Sequence, residues 1–141
     1  MKRVVDASVA IKCYVPEIYE QEASRLQQNG DEFHAPELIL PEFGNIVWKK
    51  VSRQEITEKE GQKIVTEFSK TKFVFHSHAS NIKSAFTGAL MTNQTVYDWT
   101  YMALALSLNC QFVTADERFY KAIEKTKVKK IRNFRTNPAA S

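Results

Sequence analysis

Two short apolar runs in this chain stop at an acid: Val4-Val5 runs into Asp6, and Phe112-Val113-Thr114-Ala115 runs into Asp116. Each reads as a buried strand. In an open α/β sheet, ligands bind outside the carboxyl ends of parallel strands at a switch point. Two further acids stand where helices begin, Glu42 in Pro41-Glu42-Phe43-Gly44-Asn45 and Asp98 in Val96-Tyr97-Asp98-Trp99. Carboxylates that meet at one point repel each other strongly. Such a cluster persists only if a cation, protons or a basic partner neutralises it.

Strand and helix signals alternate along the whole chain. Residues 3–6, 33–35, 72–75, 111–115 and 128–131 read as strands. Residues 17–28 form a polar helix ended by Asn29-Gly30, a helix-stop signal. From Pro36 to about Val51, Leu38, Ile39, Phe43, Ile46, Val47 and Val51 fall at helical spacing, and the internal Pro41 implies a break or kink just before Glu42. Thr57-Glu58-Lys59-Glu60 has capping-box spacing and opens a helix to about Lys70. Residues 82–91 and 117–124 are helical. Asn93 or Thr95 caps a helix over 96–108 that is apolar on most sides and therefore buried. This alternation predicts a three-layer α/β/α sandwich with a mainly parallel central sheet.

The chain's 141 residues make one domain, 1–141, long enough to bury a continuous core without disulfides. With 43% hydrophobic and 26% charged residues it is globular rather than disordered. No apolar run approaches the roughly 18 residues that span a bilayer, and Asp6 interrupts any secretory signal early. Cys13 and Cys110 have neither metal-ligand nor redox-motif spacing, so a reduced, cytoplasmic protein is expected. The net charge of +4 is uneven. Residues 118–141 hold eight Lys or Arg against the single acid Glu124, while residues 1–117 carry 12 basic and 15 acidic residues. A basic C-terminal segment on an acidic body suits an anionic partner such as nucleic acid, or serves as a solvated surface.

Asp6 and Ser8 lie two apart and point the same way on extended chain, and Thr114 and Asp116 repeat the pair in reverse order. A carboxylate beside a hydroxyl can hold a hard cation while the hydroxyl orients it. Both acids also read as helix N-caps. Glu42 and Asn45, three apart on a helix, share a face and offer one charged and one neutral oxygen; the other reading is an acid in a first turn. Asp98 completes a cap with Thr95, yet the apolar helix behind it turns it toward a cleft. Jointly the four favour an oxygen-only metal site.

These motifs, in this order, resemble PIN-domain ribonucleases of the VapC type, the toxin half of a toxin–antitoxin pair. VVDASVAIKCYVPE is similar to that family's first strand and acid, PEFGN to its Glu-x-x-Asn helix, VYDWTYMALA to its third acid, and FVTADERF to its Thr-x-Asp strand end. The likeness runs essentially end to end, departing at Cys13 and Gly44. It implies a PIN-like fold and an endoribonuclease using Mg²⁺ or Mn²⁺, with Asp6, Asp98 and Asp116 as ligands and Glu42 as ligand or water-orienting group. Ser8, Asn45 and Thr114 would then surround them. It also implies an RNA substrate, a small antitoxin partner and a homodimer, with no membrane role.

Other residues carry less. Arg118 and Lys121, one turn past Asp116, and Lys129 and Lys130 in the basic segment are candidate phosphate contacts. His76 and His78 read as loop residues, and His34 as structural. Tyr97, Trp99 and Tyr101 read as core more than as base-stacking residues. Ile46, Val47, Trp48, Ile64, Val65 and Phe68 offer more apolar surface than one core needs, which suggests an interface. The competing readings are a catalytically silent RNA- or protein-binding module on the same fold, and a phosphoryl-transfer domain, which expects adjacent acids that Asp6-Ala7-Ser8 does not supply.

Overall fold

A computed structural model of the chain describes residues 1–14 and 30–126, and the backbone of residues 131–133. The elements run β1 Lys2–Val5, α1 Ala7–Ala10 with a 3₁₀ turn Ile11–Cys13, β2 Glu32–Pro36, α2 Ile39–Ser52 and α3 Glu58–Ser69. They continue with β3 Val74–His76, α4 Ile82–Thr92, α5 Val96–Ser107, β4 Gln111–Thr114, α6 Glu117–Glu124 and β5 Ile131–Asn133. The five strands form one parallel sheet in the order β3-β2-β1-β4-β5. The expected α/β sandwich is therefore present. The chain steps outward from β1 through β2 to β3, then returns to place β4 on the other side of β1. The switch point lies between β1 and β4, whose next residues include Asp6 and Asp116.

Local chemistry explains most boundaries. Thr57 and Glu60 close a reciprocal capping box at the start of α3. Thr95 caps α5 by accepting from the Asp98 amide at 3.1 Å, whereas Asn93 ends α4 in the left-handed conformation, with φ of 53°. Short polar side chains tolerate that region best after glycine. The break expected at Pro41 does not occur. Helix α2 starts at Ile39 and runs unbroken through Pro41 to Ser52. In the first turn a proline lacks only an N–H that has no helical partner anyway.

Helix α5 is buried from Trp99 to Ala105 because it packs on β1, β2 and β4 while α4 crosses its outer side. Close approach of α4 requires Gly88, where an added Cβ would lie 2.3 Å from the Trp99 indole. On the opposite face of the sheet Val5, Val9, Val113 and Ala115 form a second apolar cluster. Phe43 and Phe68 stack at 3.9 Å and tie α2 to α3. Of the apolar residues expected in excess, Val47 and Phe68 are buried while Trp48 is 62% exposed. Buried Arg3 is satisfied by Asp31 and by Gln111 at 2.9 Å. The expected helix over 17–28 lies outside the described residues, as do 128–130 of the last expected strand. That strand's described part begins at Ile131.

Candidate active site

All four acids line one cleft of about 240 Å³ at the carboxyl edge of the sheet, with Ser8, Asn45, Tyr101 and Thr114 among its walls. Asp6 follows β1 and caps α1; Asp116 follows β4 and caps α6. Glu42 and Asp98 occupy the first turns of α2 and α5, where the helix macrodipole favours negative charge. For Asp6 and Asp116 the capping reading and the cleft reading are both true. Four chain segments bring their charge to the place where strand order reverses.

Asp6 is the most constrained. Its Oδ1 accepts from Ser8 Oγ at 2.5 Å and from the Val9 amide at 3.1 Å, and its Oδ2 accepts from Thr114 Oγ1 at 2.5 Å. Thr114 Oγ1 in turn accepts from the Asp116 amide at 3.0 Å, and Ser8 Oγ from the Ala115 amide at 3.3 Å. The two acid–hydroxyl pairs seen in the sequence are thus one network across adjacent strands. Asp116 accepts the Phe119 amide at 3.1 Å through Oδ1, which leaves Oδ2 without a donor among the described residues.

The charges are coupled. Burial pushes the Asp6 carboxyl up to about 6, and Asp116 adds to that, although three hydrogen bonds oppose it. Glu42 is raised by burial and by Asp98, against a hydrogen bond from Tyr101. Asp98 is raised by burial and by Asp116, against Thr95 and the Arg118 cation. Each of these carboxyls is held above its ordinary value chiefly because it gives up water. Among the described residues no Lys, Arg or His lines the cleft.

This donor set fits a hard divalent cation, since every polar group lining the cleft is a carboxylate, hydroxyl or amide. Among the described residues no three acid, His or Cys side chains stand close enough together to hold a metal ion by themselves, so waters and substrate oxygens would have to complete its shell. An open site is the arrangement Mg²⁺ takes, keeping several waters and using one or two carboxylates with substrate phosphates.

Sequence reasoning missed two features. Tyr101, read there as core, is 3% exposed but donates its hydroxyl to Glu42 Oε1 at 2.5 Å. His76, read as a loop residue, ends β3 and stacks on His34 across the β2–β3 pair, with the ring nitrogens 2.7 Å apart; His34 also meets Glu32 at 2.5 Å. His78 takes no part in that pair. Arg118 and Lys121 are exposed on α6, and Arg118 is near enough to lower Asp98. Lys129 and Lys130 lie outside the described residues.

Residues 3–125 match the family model described as PIN domain. The chain belongs to the PIN-domain family. A curated protein named Ribonuclease VapC3, from Pyrobaculum aerophilum, is 37% identical over 121 residues, covering 84% of this chain and 92% of that one. The PIN fold is also shared with solved structures of low identity. VapC20 of Mycobacterium tuberculosis, described as a sarcin-ricin loop cleaving toxin, superposes with a TM-score of 0.65 at 15% identity, over 85% of this chain and 94% of that one. VapBC2 of Rickettsia felis, solved bound to a DNA fragment from its promoter, gives 0.63 at 14% identity, over 94% and 98%. The expected VapC-type PIN domain is thereby established. Among the described residues of this PIN domain no helix is long and apolar enough to cross a membrane.

Proposed function

We propose that this PIN domain is an endoribonuclease working with Mg²⁺ or Mn²⁺, and that it is the toxin of a toxin–antitoxin pair. The observation that carries the reading is the cleft itself: four acids from four separate segments line it, with no basic side chain beside them among the described residues. The 37% identity to a protein named as a ribonuclease supports RNA as the substrate class. Solved VapBC structures of the same fold support a small antitoxin as partner. A homodimer and a cytoplasmic location complete the proposal.

Asp6, Asp98 and Asp116 would hold the cation, with Glu42 as a further ligand or as the group that orients water. Bound there, a divalent cation lowers the pKa of its water and polarises a phosphoryl oxygen. The chain's own residues do the rest. Ser8, Val9 and Thr114 fix the Asp6 carboxylate in one orientation. Asn45 supplies a neutral amide at the rim, exposed to an incoming strand. Arg118 and Lys121, exposed on α6, would meet phosphates, which would position RNA without reading its bases.

The test is cleavage of RNA by purified protein in Mg²⁺, in chelator, and by the Asp98→Asn variant. Cleavage in Mg²⁺ alone, lost in chelator and in the variant, is expected. A folded protein that binds RNA but never cuts it would instead support the silent binding module.

A further inference from the structure

The Tyr101 phenol joins three parts of the cleft. It donates to Glu42 Oε1 at 2.5 Å. The Ala7 amide, in the turn that carries Asp6, is near enough to the phenol to lower it. Tyr101 lies three residues after Asp98 on α5, the spacing that shares a helix face. Its ring stacks on Phe112 of β4 at 5.7 Å, the planes 10° apart, so its direction is set by packing. A tyrosine phenol is protonated at neutral pH, so it is the donor in its contact with Glu42.

Glu42 needs such a donor. It is only half-buried, stands in a first turn, and is repelled by Asp98. A glutamate has three rotatable bonds, and repulsion favours the rotamers that swing its carboxylate out into water. Among the described residues no other side chain donates to it, and its Oε2 is left without a donor. We propose that Tyr101 is a positioning residue that holds Glu42 in the cleft by occupying Oε1, leaving Oε2 for a divalent cation or its water. This rests on the metal-dependent nuclease reading above and adds a residue to it. Groups that orient ligands in this way cost about 10–100-fold in metal affinity or activity when removed.

The test is Tyr101→Phe, which keeps the ring stack and removes one hydroxyl. Mn²⁺ affinity is measured by calorimetry on the metal-free protein, in the wild-type and Glu42→Ala backgrounds, beside RNA kcat and KM. About 10–100-fold weaker Mn²⁺ binding is expected in the wild-type background, with little further loss in Glu42→Ala. The kcat should fall while KM for RNA holds. Unchanged Mn²⁺ affinity, or the same loss in both backgrounds, would overturn the proposal while leaving the nuclease reading intact. A wild-type protein that neither binds Mn²⁺ nor cleaves RNA would overturn both.

Discussion

Replacing Asp6 by Asn should stabilise the metal-free protein while abolishing its activity. In the folded state burial and Asp116 lift the Asp6 carboxyl from an ordinary 3.8 to about 6. A raised acid binds its proton more tightly folded than unfolded. Its ionisation therefore costs stability progressively as pH rises from about 4 to about 6, and the full cost is present above that. At about 1.36 kcal/mol per pH unit, the interval between 3.8 and about 6 amounts to about 3 kcal/mol. The amide oxygen of Asn can still accept from Ser8 and Val9. Its NH₂ must face Thr114 Oγ1, which already accepts from Asp116, so one hydrogen bond is reorganised at a cost of roughly 1 kcal/mol. The net gain at pH 8 is about 2 kcal/mol, a rise in Tm of about 4–8 °C for a domain of this size. Scanning calorimetry in chelator at pH 8 and pH 4 checks this. The gain should be full at pH 8 and absent at pH 4, where wild-type Asp6 is already protonated. A variant less stable than wild type at pH 8, or a gain equal at both pH values, would refute the argument and leave Asp6 as a helix cap alone.

Divalent cation should raise the wild-type Tm through binding linkage, and Asp98→Asn should lose most of that rise; equal stabilisation of both proteins would place the metal elsewhere. Gly88→Ala should destabilise by about 1–3 kcal/mol despite its better helix propensity, because its Cβ would overlap the buried Trp99 ring; urea titration measures it. Burial, with His34 and Lys2, lowers His76 below its ordinary 6.5. The unfolded chain then takes up the proton first, and stability falls as pH drops below about 6.5. His76→Phe should flatten that acid-side fall relative to wild type, as thermal melts across pH would show. If the basic segment binds RNA phosphates, Lys129→Gln with Lys130→Gln should flatten the slope of log affinity against log salt by about 0.7 per lost contact; an unchanged slope would assign those lysines another role.

What was legible in the sequence was local or periodic. Val4-Val5-Asp6 and Thr114-Ala115-Asp116 mark strand ends because a buried apolar run must stop where a carboxylate needs polar partners. Thr57 and Thr95 mark helix starts because a hydroxyl satisfies a free amide three residues on. Those signals put Asp6 and Asp116 at strand ends and Asp98 at a helix start, while the tertiary structure brings Glu42 into the same cleft. Pro41 misled because a proline's effect depends on its position within a helix, and the apolar spacing around it could not say that Ile39 was the first residue. Tyr101 and Glu42 are 59 residues apart, and His34 and His76 are 42 apart. An aromatic in an apolar helix and a histidine in a short strand carry no mark of a distant partner. Such pairs are decided by strand order and by how α5 lies across β1, β2 and β4, because only the folded path brings those side chains within hydrogen-bond reach. The order β3-β2-β1-β4-β5 has the same origin: each strand is too short for its own sequence to name its neighbour. The crossover lengths and the burial of α5 against β1, β2 and β4 select among the possible pairings.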